Sequence, residues 1–144
     1  MSNSHAPAGD TSIEQRLRSA GVIPTRQRVA IARVLLERPQ HLSAEQLIAR
    51  LHAHDGCRGV SKATVYNTLG LFARVGLVRE VIADPSRVFF DSNTGEHHHL
   101  YDVESGTLTD IDAGQMQLSE LPPIPPDLEV AGIEVIVRVR RRRT

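Results

Sequence analysis

Ser61-Lys62-Ala63-Thr64-Val65-Tyr66-Asn67-Thr68-Leu69 joins a serine cap to a run with helical spacing. A serine at this place offers its side-chain oxygen to the first free amides of a helix. Val65, Leu69, Leu71 and Phe72 then turn inward. Gly76 ends the helix. Residues 77–82 and 87–91 have a different character, rich in β-branched and aromatic side chains. Asp84-Pro85-Ser86 between them is a hairpin signal. A capped helix followed by such a hairpin fits a winged helix-turn-helix, in which the helix after the tight turn enters a major groove.

Three more helices are expected upstream. Ser43 and Gln46 form a Ser-x-x-Gln capping pattern ahead of Leu47, Ile48 and Leu51. Thr25, after Pro24, caps a helix whose apolar face holds Val29, Ala30, Leu35 and Leu36, and Pro39 stops it. Ser12 and Gln15 repeat the capping pattern for a first helix with Ile13, Leu17 and Ala20. Gly21 closes that helix just past its C-cap. Gly56 and Gly59 flank the turn before Ser61, and residues 1–10 read as a disordered arm.

Downstream, residues 97–103 and 107–111 read as strands about a Glu104-Ser105-Gly106 turn. A short helix over 115–121 precedes the connector Pro122-Pro123-Ile124-Pro125-Pro126. A last strand runs from about 128 to 139, with Ile133, Val135, Val137 and Val139 alternating. The expected architecture is α+β: an arm over 1–10, a winged helix-turn-helix over 11–91 and a small α/β domain over 92–144.

A formal net charge of zero hides a segregation. Residues 13–79 hold 11 Lys or Arg against 4 Asp or Glu, whereas residues 80–137 hold 1 against 12. A basic front half suits a polyanion and an acidic back half suits cations. Aromatic residues make up only 3% of the chain and Trp is missing, so the cores must be built from Leu, Val, Ile and Ala. The single cysteine, Cys57, excludes an internal disulfide and a cysteine-rich zinc site within one chain. No run approaches the roughly 18 apolar residues of a membrane span, and the N-terminus has no signal-peptide pattern. A cytoplasmic protein with no membrane partner is expected.

The helix beginning at Ser61 offers the chemistry of a DNA reader. Lys62 can neutralise phosphate and Asn67 can bond a base edge. Tyr66 and Thr64 can touch thymine methyls. Arg26 and Arg28 stand in the first turn of their helix, where cations oppose the helix dipole, so an external phosphate accounts for their placement.

His97-His98-His99 lies in a strand, so His97 and His99 share one face and His98 points the other way. Asp91 lies just upstream, and Asp110 on the next strand can fold back onto the histidine face. Two imidazoles with one or two carboxylates suit Fe(II), Mn(II) or Zn(II). His41 is distant in sequence and immediately precedes the Ser43 cap.

Five motifs together resemble the ferric uptake regulator (Fur) superfamily, over residues 17–140: Pro24-Thr25-Arg26-Gln27-Arg28, His41-Leu42-Ser43-Ala44-Glu45, Ala63-Thr64-Val65-Tyr66-Asn67-Thr68-Leu69, Phe89-Phe90-Asp91 and His97-His98-His99. The resemblance implies a winged helix, a C-terminal α/β dimerisation domain and a metal site at the hinge. Carried over by position, the ligands are His41, Asp91, His97, His99 and Asp110. Tyr66 and Asn67 fall where the family's recognition helix faces bases. Asp102 and Ser105 stand where many relatives carry the Cys-x-x-Cys of a structural zinc, and Ile23 stands where many carry Lys or Arg.

The missing cysteines, the histidine triplet and the ending Ile133-Glu134-Val135-Ile136-Val137-Arg138-Val139-Arg140 look like the iron response regulator branch. That resemblance implies haem binding at His97, His98 and His99, and a haem-biosynthesis enzyme as haem donor. Cys57 is followed by Arg58 and not by the Pro of a Gly-Cys-Pro haem motif. The expected protein is a homodimeric repressor of iron and haem metabolism genes that binds a double-stranded operator. The alternatives are a peroxide-sensing repressor of the same superfamily and a small metal-dependent enzyme.

Overall fold

The computed structural model describes residues 8–53 and 59–143. The expectations for residues 1–7, Gly56 and Cys57 lie outside them. Two compact units divide the chain between Thr94 and Gly95. None of the described helices is long and apolar enough to cross a membrane.

The N-terminal unit runs α1 (Ala8–Ser19), α2 (Arg26–Leu36), β1 (His41–Ser43), α3 (Ala44–Ala53), α4 (Lys62–Arg74), β2 (Arg79–Asp84) and β3 (Arg87–Asp91). Local signals set most helix ends. Thr25 Oγ1 accepts from the Arg28 amide, and Ser61 Oγ from the Thr64 amide, each at 3.2 Å. Ser43 Oγ accepts from the Gln46 amide while Gln46 Oε1 accepts from the Ser43 amide, a reciprocal cap. Gly21 and Gly76 follow α1 and α4 at φ +80° and +79°, a conformation that costs other residues about 1 kcal/mol or more.

Two details correct the sequence expectation. Helix α1 begins at Ala8, so Ser12 sits inside it and not at its cap, and residues 8–10 of the expected arm are helical. In α2 the fully covered residues are Ile31, Ala32, Leu35 and Leu36, with Val29 and Ala30 only partly buried. The buried face is rotated because the helix packs against both α1 and α3.

The helices enclose one core. Leu17 comes from α1, Ile31 and Leu35 from α2, Leu47 and Leu51 from α3, and Val65, Leu69 and Phe72 from α4, all 1% exposed or less. Burying each such side chain stabilises the unit by about 1.5–3 kcal/mol. A three-stranded antiparallel sheet, order β1-β3-β2, completes the unit. The hairpin turns at Pro85-Ser86, where Asp84 Oδ1 accepts from the Ser86 amide at 2.8 Å.

The C-terminal unit holds β4 (His97–Asp102), β5 (Leu108–Asp112) and β6 (Ile136–Val139) in the order β5-β4-β6. Strand β4 is antiparallel to β5 and parallel to β6. Tyr101 and Leu108 are its buried apolar side chains. The expected helix over 115–121 does not form; a single 3-10 turn, Ala113–Gln115, stands there instead. The expected strand from 128 reduces to β6. Four prolines between 122 and 126 remove amide donors, and β4 offers β6 a partner only from His99 to Asp102.

Candidate metal centre and nucleic-acid interface

Strand alternation puts His97 and His99 on the buried face of β4, 5% and 0% exposed, with ring centroids 4.5 Å apart. His98 faces the other way and its Nδ1 accepts from the Val135 amide at 3.1 Å. Antiparallel pairing sets Asp110 opposite His99. Asp110 Oδ1 lies 3.4 Å from His99 Nε2 and 3.6 Å from His97 Nε2. One ligand atom from each of the three lies within 4.8 Å of the others.

The outer nitrogens bear on how these imidazoles are turned. His97 Nδ1 lies 2.8 Å from the Gly95 carbonyl oxygen, which can only accept, so Nδ1 carries the proton. His99 Nδ1 lies 3.4 Å from Glu134 Oε1, at ion-pair distance but outside hydrogen-bond geometry. Both rings then turn Nε2 toward the Asp110 carboxylate. Two imidazole nitrogens and a carboxylate oxygen turned toward one another are a donor set that a divalent cation can take. A tetrahedral ion with bonds of about 2.1 Å sets its ligand atoms about 3.4 Å apart, close to the observed spacings. The donor set therefore fits a divalent metal. It fits haem poorly: His97 and His99 are turned into the unit, and the His98 ring is tied by Nδ1 to the Val135 amide.

His41 and Asp91 belong to the N-terminal unit, paired directly across β1 and β3. Directly opposed residues in an antiparallel pair project from the same face. Asp91 is fully buried, and its Oδ1 accepts from the Asn93 amide at 2.8 Å. The His41 ring meets Phe89 edge-on, with centroids 6.1 Å apart.

Helix α4 buries Val65, Thr68, Leu69 and Phe72 and exposes Lys62, Ala63, Tyr66 and Asn67. Arg26 is exposed at the start of α2. Arg28 is partly buried, and its guanidinium donates to the Ile23 carbonyl at 3.0 Å, which holds it against the preceding turn. Thr64 is also partly buried, with Oγ1 2.9 Å from Ser61 Oγ in the cap. The Tyr66 hydroxyl donates to Glu45 Oε1 at 2.6 Å. That bond pushes the Tyr66 phenol up from its ordinary range and holds the Glu45 carboxyl down. Lys62 and Arg87 add to the lowering at Glu45.

Sequence reasoning did not single out Glu45, Glu134 or the Gly95 carbonyl. Glu134 read as the outward position of an alternating strand. The Glu45–Tyr66 contact spans 21 residues, beyond any local pattern.

A winged helix with an exposed polar surface on its last helix, followed by a small three-stranded sheet with an imidazole–carboxylate cluster, defines a class of metal-sensing DNA-binding fold. The chain matches the ferric uptake regulator family over residues 19–120, and it belongs to that family. It is 35% identical over 100 residues to the peroxide-responsive repressor PerR of Staphylococcus aureus, covering 69% of this chain and 66% of that protein. It therefore spans slightly under two thirds of the length of that relative. The ferric uptake regulator of Pseudomonas aeruginosa, solved with manganese, superposes with a TM-score of 0.68 at 26% identity, over 91% of this chain and 98% of that one. The Vibrio cholerae ferric uptake regulator shares the fold, with a TM-score of 0.68 at 22% identity over 89% and 98% of the two chains. These relatives are named as repressors and uptake regulators, not enzymes.

Proposed function

We propose that this protein is a homodimeric transcriptional regulator whose affinity for a double-stranded operator is set by a divalent metal, Fe(II), Mn(II) or Zn(II). One observation carries the reading: His97, His99 and Asp110 converge their ligand atoms on β4 and β5. His41 and Asp91 join them as ligands by family position. The metal supplies a positive centre that satisfies the facing imidazole nitrogens and carboxylates.

The protein's own residues would do the rest. The Gly95 carbonyl would fix the ring of His97, and the Glu134 carboxylate would stand behind that of His99. Ligands drawn from 11–91 and from 92–144 would favour one arrangement of the two domains, and only some arrangements match the half-sites of an operator. The metal then acts through its different affinity for those arrangements. A tenfold change in operator affinity needs only about 1.4 kcal/mol of such coupling. On the DNA side, Lys62 and Arg26 would contact phosphate, and Tyr66 and Asn67 base edges. Arg28 and Thr64 would position the helix ends.

The test is DNA retardation at fixed salt with apo, Mn(II)-loaded, Fe(II)-loaded and haem-loaded protein. Metal-dependent retardation supports the reading, and equal binding by all four forms overturns it. Retardation that responds to haem alone favours control of iron and haem genes, with a haem-biosynthesis enzyme as donor. The PerR relative favours a second reading, peroxide sensing at the Fe(II) form. Mass spectrometry of His41 and His97 after peroxide would then find an oxygen atom added to an imidazole.

A further inference from the structure

We propose that Glu45 is a specificity-determining residue of the DNA-reading surface, acting through Tyr66 as a positioning residue. The inference rests on the DNA-binding reading above and deepens it. A carboxylate among the residues of a DNA-reading face is costly, because it faces phosphates of the same sign. Here Glu45 is exposed in the first turn of α3, within electrostatic reach of Lys62 at the start of α4 and Arg87 on the wing. The lowered carboxyl keeps that negative charge through the neutral range.

The bond to Tyr66 shows what the charge does. A phenol has one proton, and Tyr66 commits it to Glu45 at 2.6 Å. The oxygen is then left with lone pairs only, while the ring stays about half exposed at 47%. Such a hydroxyl can accept from cytosine N4 or adenine N6 in the major groove, and its ring can meet a thymine methyl. It cannot donate to a phosphate, to guanine O6 or to thymine O4. Glu45 thereby turns an ambivalent hydroxyl into an acceptor, and its charge discourages unspecific phosphate contact at the same spot.

The test uses the full chain and two duplexes: one enriched from a random library by the unaltered protein, and one of the same composition with its order shuffled. Both are measured at one salt concentration with Glu45→Ala, Glu45→Gln, Tyr66→Phe and the Glu45→Ala/Tyr66→Phe double variant. Glu45→Ala is expected to lose about tenfold in discrimination between the duplexes, with shuffled-duplex affinity unchanged or raised. Glu45→Gln, whose amide oxygen still accepts, keeps most of the discrimination. The double variant loses no more than Tyr66→Phe alone. Tyrosinate absorbance should also titrate at lower pH in Glu45→Ala, which merely structural damage would not produce. Full discrimination by Glu45→Ala, or an unmoved tyrosine titration, overturns the inference while DNA binding stands. Failure of the unaltered protein to enrich any sequence sinks the DNA-binding reading itself.

Discussion

His99 and Asp110 stand directly opposite each other on neighbouring strands, with imidazole Nε2 3.4 Å from carboxylate Oδ1. Neither strand needs to bend for the two to meet, so the geometry is a property of the β4–β5 register. A one-residue slip of either strand would put the two side chains on opposite faces of the sheet. His99→Ala and Asp110→Ala are each expected to weaken Mn(II) binding at least a hundredfold by titration calorimetry. Glu134→Gln, which alters only the support behind His99, should weaken it about tenfold. Unchanged affinity in His99→Ala would remove this cluster from any metal role.

The Tyr66–Glu45 bond makes part of the stability depend on pH at both ends of the scale. The folded carboxyl titrates below its ordinary 4.5, so its contribution is present above that value and fades as pH falls through the lowered one. The folded phenol titrates above its ordinary 10.0, so its contribution is complete below 10.0 and fades as pH rises through the raised value. The melting-temperature gap between the unaltered protein and Tyr66→Phe should be flat from about pH 5 to 9 and narrow on either side. A gap that does not change with pH would mean the bond is not made in solution.

Ser61→Ala removes the oxygen that accepts from the Thr64 amide. Loss of such a cap costs about 1 kcal/mol. Urea unfolding of the variant should show a lower midpoint at an unchanged slope. Operator affinity should fall with it, because the cap fixes the first turn of α4, where Lys62 stands.

Residues 116–135 leave large apolar side chains in solvent, with Leu121 51%, Leu128 62% and Val130 47% exposed. Several exposed large apolar side chains in one stretch suit a covering partner surface. Leu128→Glu is expected to shift sedimentation from dimer toward monomer without altering the circular dichroism of the helices. A variant that stays dimeric would place the subunit contact elsewhere.

What could be read from the sequence was what local chemistry determines. Thr25, Ser43 and Ser61 each announced a helix start because a side-chain oxygen reaches an amide only three residues away. The facing of His97 and His99 followed from the pleat alone. Strand β1 was not legible: His41–Ser43 is too short to carry a pattern, and it is a strand only because β3 pairs with it. The reach of β6 was misjudged for the same reason. Alternation from Ile133 to Val139 states which residues could pair, while the length of β4 decides which of them do. The Glu45–Tyr66 contact depends on how α3 packs beside α4, a tertiary fact with no trace in either segment alone.

The C-terminal sheet is not laid out in sequence order: its middle strand, β4, pairs with the nearby β5 on one side and, across the irregular stretch 116–135, with β6 on the other. During synthesis, a hairpin ending near residue 112 would already carry His97, His99 and Asp110 on one face. Glu134 and the edge strand beside it emerge from the ribosome later. Capture of a cation could therefore begin on the unfinished polypeptide, with the ion helping to hold the hairpin until the last strand closes over its flank.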